Sequence, residues 1–73
     1  MEAKEQLGEN LRRARVHAGL TQMELSNRSG LDMAEISRLE TGQRDARLST
    51  LVRLADGLEV PVHRLVEGLG RFS

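Results

Sequence analysis

Residues Leu20–Gly42 read LTQMELSNRSGLDMAEISRLETG. Two short amphipathic segments stand in this stretch, and each opens on a capping-box pattern. Thr21 precedes Glu24 by three residues, and Asp32 precedes Glu35 by three. In such a box the first side chain accepts from a free backbone N–H of the opening turn. The glutamate reaches back to the N–H of the cap residue. Between the segments lies Ser29-Gly30-Leu31, which contains the residue type that enters positive φ without steric cost. The stretch is expected to fold as two short helices meeting at a tight turn.

Outward from it, periodicity predicts an all-α chain of five helices with no linker, repeat or low-complexity tract. The first runs roughly from Glu2 to Ala18, with Leu7, Leu11, Ala14 and Ala18 on one stripe and Gly19 closing it. The second covers about Gln22–Ser29 and the third about Met33–Thr41, stopped by Gly42; the polar connection Gln43–Arg47 follows. The fourth is expected over about Thr50–Leu58, with Ser49 as its cap and Leu51, Leu54, Ala55 and Leu58 facing inward. The fifth begins at or near Pro61, a residue favoured in the first helical turn, and reaches about Glu67. Gly57 costs the fourth helix about 1 kcal/mol relative to alanine. A close backbone approach and an early helix end both account for it.

At 73 residues the chain reads as one domain, 1–73, with one small core. It has no cysteine, which rules out disulfides and thiolate metal sites and fits a reducing interior. The composition is Leu- and Arg-rich with a single aromatic residue, Phe72, which favours helices over sheets. No apolar run approaches the roughly 20 residues that span a bilayer, and the acidic start is unlike a secretory signal. A soluble, cytoplasmic protein is expected, with no membrane contact.

Formal net charge is zero, but it is unevenly spread. Residues 1–11 carry a net −2, residues 12–47 carry seven arginines against five acidic groups, and residues 48–73 balance. The modest positive bias lies around the two short helices. It suits a binder with few phosphate contacts, not a strong nonspecific one.

Two helices joined by a short Gly-containing turn form the layout of a DNA-reading helix-turn-helix, here at about residues 21–41. From Leu7 to Leu69 the chain resembles the Cro/CI-type (Xre-like) helix-turn-helix repressors. The resemblance rests on Arg12-Arg13-Ala14-Arg15, Gly19-Leu20-Thr21-Gln22, Glu24-Leu25, Gly30-Leu31, Ile36 through Gly42, and Leu51 through Val60. It implies a compact Cro/CI-repressor-like DNA-binding domain with the motif at helices two and three. There are two departures. Ser26 stands where the family usually has alanine, and Ala46-Arg47 stands where a proline commonly follows the third-helix loop, so that loop is expected to be looser.

With Leu31, Ile36 and Leu39 turned inward, the third helix presents Met33, Ala34, Ser37 and Arg38 outward. The resemblance gives Met33, Ala34 and Arg38 the positions that most often touch bases. The planar fork of Arg38 matches guanine O6 and N7, while Met33 and Ala34 suit a thymine methyl. The bland alternative for Arg38 is a solvated arginine paired with Glu35 at i, i+3. Glu35 itself either closes its capping box or accepts from a cytosine amino group.

Gln22 opens the second helix, where free N–H groups and the dipole favour a phosphate, and the family uses a glutamine there for that purpose. By the same resemblance, Thr21, Asn27, Thr41, Gln43 and Arg44 flank the DNA backbone, setting register without reading sequence. Arg28 and Arg47 read at least as well as ordinary solvated charges as they do as phosphate contacts. For Arg12 and Arg13, solvated exposure is the better default over a phosphate contact. Arg15 and Glu40 resemble a structural ion pair that ties the first helix to the third.

His17 and His63 have no partner at metal-ligand spacing, and no nucleophile–base set or phosphate loop is visible. Neither a metal, a cofactor, a small-molecule ligand nor an enzymatic activity is expected. One recognition helix reads too few base pairs for genomic specificity, so a two-fold dimer on a palindromic operator is expected, with half-sites about 34 Å apart. Val60, Val62, Leu65, Val66, Leu69 and Phe72 are more apolar residues than one short helix needs inside. They mark residues of about 58–72 as the dimer interface. A restriction–modification controller, a phage- or plasmid-type repressor and a stand-alone bacterial regulator all fit. An antitoxin or protein-interaction module acting through a partner protein is the alternative, supported by the neutral net charge.

Overall fold

The computed structural model describes residues 1–70. Four α-helices form: α1 (Ala3–His17), α2 (Gln22–Ser29), α3 (Met33–Glu40) and α4 (Leu48–Leu58). α1 packs mainly on α3 and α2 mainly on α4, with α2 also against α3. The shared core is Leu7 and Leu11 of α1, Leu25 of α2, Ile36 and Leu39 of α3, Leu54, Ala55 and Leu58 of α4, and Leu65. The expected α1 stripe continues through Ala14, which packs on this core, but Ala18 is exposed.

The fifth helix is not formed. Val62–Arg64 makes a single 3₁₀ turn, and Pro61 stands before it in extended conformation. Asn10, buried in α1, explains why the segment lies where it does. Its Nδ2 donates to the carbonyls of Leu65 (3.0 Å) and Glu67 (2.7 Å), and its Oδ1 accepts from Gln6 Nε2 at 2.9 Å. Those carbonyls thus bond to α1 rather than to a further turn of helix. Gly68, at φ +82°, then leaves helical conformation altogether.

Two glycines let helices approach closely. A Cβ on Gly8 would stand 2.7 Å from the Glu40 carbonyl oxygen and closer still to that of Leu39. α1 therefore crosses the last turn of α3 at a distance that no side chain permits. A Cβ on Gly57 would meet Leu25 Cδ1 at 3.3 Å and Arg28 Cβ at 3.4 Å. Since α4 continues to Leu58, Gly57 serves a close approach to α2 and not an early helix end.

α4 begins two residues sooner than periodicity suggests, with extended Arg47 (φ −72°, ψ 156°) as its N-cap; Ser49 lies inside the first turn. The helix closes as α1 and α3 do. In all three, a residue one or two places past the helix has positive φ and a paired set of backbone bonds satisfies the last carbonyls. In α1 and α3 that residue is Gly19 or Gly42, but in α4 it is Glu59, at φ 59°. Its N–H donates to Asp56 O and the Val60 N–H to Ala55 O.

A side chain at that φ costs about 1–2 kcal/mol. The exposed Glu59–Arg28 ion pair, at 3.5 Å, returns little of it. Glu59→Gly is therefore expected to stabilise the chain by about 1 kcal/mol, after allowing for the added freedom of the unfolded glycine. Thermal unfolding should shift upward by about 4–8 °C. An unchanged or lower midpoint would count against the strained cap.

Candidate nucleic-acid interface

Thr21 caps α2 as its sequence predicts. Its Oγ1 accepts from the Glu24 N–H at 3.0 Å, and Glu24 Oε1 accepts from the Thr21 N–H at 2.8 Å. The corresponding box does not form at α3. Asp32 takes the extended N-cap conformation (φ −63°, ψ 140°), but its side chain makes no capping bond. The turn is held by two serines instead. Ser26 Oγ donates to the Leu31 carbonyl, and the Leu31 N–H donates to Ser29 Oγ at 3.2 Å. Gly30, at φ +75°, turns the chain between them. The departure from alanine at position 26 thus adds a bond across the turn. An S/T/D-x-x-E pattern gives no sign of it.

α3 has two distinct faces. Ile36 and Leu39 are fully buried, and Leu31 packs on the core from the turn. Met33, Ala34 and Arg38 are exposed, with Ser37 half-buried beside them. Arg38 takes part in none of the ion pairs formed among the described residues, so the alternative pairing with Glu35 is absent. Its guanidinium stands in solvent on the outer face of α3.

Behind this face, Glu40 accepts three hydrogen bonds from two side chains. Arg15 Nε donates to Glu40 Oε2 at 2.7 Å and Nη2 to Oε1 at 3.1 Å, while Nη1 donates to the Leu20 carbonyl at 2.8 Å. Gln22 Nε2 donates to Glu40 Oε1 at 3.1 Å. The side chains of Arg15 and Glu40 are only 13% and 3% exposed. The hydrogen bonds that Arg15 donates to Glu40 raise the Arg15 pKa against the opposing effect of burial. Losing either partner of a pair buried this far leaves a charge uncompensated, a cost on the order of 3–5 kcal/mol.

The remaining candidates for the DNA backbone differ in their freedom. Thr21, Asn27 and Arg44 are exposed. Thr41 Oγ1 donates to the Ser37 carbonyl at 3.0 Å and accepts from Gln43 Nε2 at 2.8 Å, so these two side chains are bound to each other. Among the described residues, no group of three or more His, Asp or Glu side chains is arranged to hold a metal ion, and no helix is long and apolar enough to cross a membrane.

Of the expected dimer residues, Leu65 is the one the fold withdraws from the surface. Leu65 is fully buried in the chain's own core, and Val60, Val62 and Leu69 pack partly against it. Val66 is half-buried, and Phe72 lies outside the described residues. The surplus of apolar residues shrinks because the 3₁₀ segment folds back on α1 rather than forming a helix with a free face. Exposed apolar side chains stand on α4 instead, at Leu48 (72% exposed) and Val52 (40%).

Comparison with known proteins places this geometry. A family described as a helix-turn-helix domain matches residues 6–68. An uncharacterised HTH-type transcriptional regulator of Sinorhizobium fredii, y4dJ, is 39% identical over 66 residues, covering 90% of this chain and 86% of its own length. The control protein C.SmaI of Serratia marcescens is 39% identical over 70 residues, covering 96% and 83%. The crystal structure of the restriction–modification controller C.AhdI from Aeromonas hydrophila superposes with a TM-score of 0.82 at 34% identity. It covers 85% of this chain and 94% of that one.

The α2 cap has a consequence in solution. The N–H of Thr21, and after it the Thr21 side chain, hold the Glu24 carboxyl below its ordinary pKa of 4.5. The stabilisation from this cap is present above the ordinary value and is lost as pH falls through the lower, folded one. Carboxyl ¹³C NMR titration should give Glu24 a lower midpoint in the folded chain than in urea. Equal midpoints would show that the box does not form in solution.

Proposed function

The chain belongs to the Xre-like helix-turn-helix family of DNA-binding transcriptional regulators, and from that membership we propose that it acts as a homodimer on a palindromic operator, with α3 in the major groove. The observation that carries this reading is the outer face of α3, where exposed Met33, Ala34 and Arg38 surmount fully buried Ile36 and Leu39. An arginine without a carboxylate partner, held on a helix whose other face is locked in a core, is suited to a bidentate contact with guanine. Met33 and Ala34 offer apolar contact to thymine methyls, and Ser37 lies within reach of the same groove.

Gln22, at the start of α2, meets phosphate together with Thr21, Asn27 and Arg44. Thr41 and Gln43 approach the backbone as a hydrogen-bonded unit. Arg15 and Glu40 stay behind the interface and fix the angle between the helices. Dimerisation uses the apolar surface that folding leaves uncovered: Leu48 and Val52 on α4, with half-buried Val62 and Val66 beyond it. A controller of a restriction–modification operon is the setting favoured by resemblance to C.SmaI and C.AhdI, both little longer than the region they share with this chain.

Fluorescence titration against DNA from upstream of the protein's own gene tests the reading. Wild type should bind one sequence selectively. Arg38→Ala should cost about 1–3 kcal/mol and relax preference at one base position per half-site. If both proteins bind all DNA equally weakly, the specific-regulator reading fails, and a partner-binding module of the same fold takes its place.

The dimer is checked separately by sedimentation equilibrium. A monomer–dimer equilibrium is expected in the micromolar range or below, and monomer alone at high micromolar concentration would remove the two-fold model.

A further inference from the structure

Gln22 faces two surroundings. It stands at the first position of α2, on the side proposed to meet phosphate, yet its Nε2 is already donated to Glu40 at 3.1 Å. Glu40 is nearly excluded from water and doubly bonded by Arg15, which fixes its oxygens as acceptors. An ionised carboxylate can only accept. It therefore determines which way the Gln22 amide faces. Turned over, the amide would set its carbonyl oxygen against a carboxylate oxygen, with no proton between them. With Nε2 toward Glu40, one amide N–H is used and the second remains. The side chain is half-buried, and Gln22 makes no other side-chain hydrogen bond among the described residues.

We infer that Glu40 is a positioning residue for DNA binding. It holds the Gln22 amide so that the group offered to a phosphate is a donor, not an acceptor. Arg15 acts one step further back, by holding Glu40. A free glutamine would divide its time between two amide orientations and several rotamers, and only some of these donate outward. The end of α3 thereby sets the backbone contact made by the start of α2, so the base-reading helix and the phosphate-gripping helix dock in one fixed register. This inference rests on the reading of Gln22 as a phosphate contact.

A double-mutant cycle tests it, using operator DNA and the full chain, with Gln22→Ala, Glu40→Gln and the double variant. Affinities are measured at a temperature where melting curves show each protein folded. Gln22→Ala should lower affinity about tenfold, as expected for loss of a hydrogen bond to a charged oxygen. Glu40→Gln should lower affinity at least threefold when residue 22 is glutamine. When residue 22 is alanine, it should change affinity by less than twofold.

Coupling of this kind separates positioning from stability, since a merely structural loss acts equally in both backgrounds. An equal factor in both overturns the inference and leaves the phosphate contact standing. An unchanged affinity for Gln22→Ala overturns the phosphate reading, and the inference with it. Should Glu40→Gln fail to fold, Glu40→Asp keeps the charge while shortening the reach, and the same cycle applies. Side-chain amide NMR of Gln22 gives a readout without DNA. Its Nε2 protons should show distinct, slowly averaging resonances in wild type that collapse toward random-coil positions in the Glu40 variant.

Discussion

The carboxylate of Glu40 is the point on which the arrangement of the first three helices depends. It lies at the C-terminal end of α3, where the helix dipole disfavours negative charge, and almost no water reaches it. Such a group is tolerable only with strong partners, and they come from two other helices: a bidentate arginine from α1 and an amide from α2. The same arginine bonds the Leu20 carbonyl, so it also fixes the connection between α1 and α2. Gly8 adds a steric counterpart nearby, allowing α1 to lie directly on the last carbonyls of α3. Charge and close contact together leave α3 little freedom to tilt. A helix of eight residues could not hold its own direction by hydrogen bonding alone.

How much of this was legible in the sequence follows from the range of each interaction. The α2 limits, the Thr21–Glu24 box and the glycine stops at 19, 30 and 42 depend on residues within four or five positions of one another, and spacing alone exposes them. So does the division of α3 into buried Ile36 and Leu39 and exposed Met33, Ala34 and Arg38. The Arg15–Glu40 pair was accessible only through family resemblance, because nothing local links positions twenty-five apart. Asn10 was invisible altogether. It reads as one more polar residue on an amphipathic helix, yet it decides the path of a segment 55 residues away. Periodicity sees the apolar residues of 60–69 and infers a helix with a spare face; it cannot see their carbonyls being claimed by α1.

The two capping boxes teach a related lesson, since the same pattern is present twice and operates once. α2 follows a loop and has only its own first turn to satisfy, so Thr21 and Glu24 close it. α3 follows a turn already stitched by Ser26 and Ser29, and its end is anchored by Glu40, so the geometry of its start is imposed from outside. Tertiary constraint overrides the local preference. Glu59 is the same effect at a helix end: the chain takes a left-handed turn there because the core needs Val60 and Leu65 behind α4, although the residue is a poor one for it.

Zero net charge is compatible with binding to a polyanion because of where the charges are spent. Among the described residues, three arginines pair with Glu40, Glu59 and Glu67, and only the first of these pairs is buried. The exposed arginines that remain without such pairs include Arg38 on the outer face of α3 and Arg44 just beyond that helix. Few free cations near a nucleic acid mean little gain from counterion release, which makes for low nonspecific affinity and a shallow salt dependence. What remains must come from hydrogen bonds and contacts whose geometry is correct, which places a premium on rigidity of the docking surface. The buried Arg15–Glu40–Gln22 arrangement supplies that rigidity at the junction of the three helices. It is the cost in buried charge that a small, neutral domain accepts in place of a large positive field.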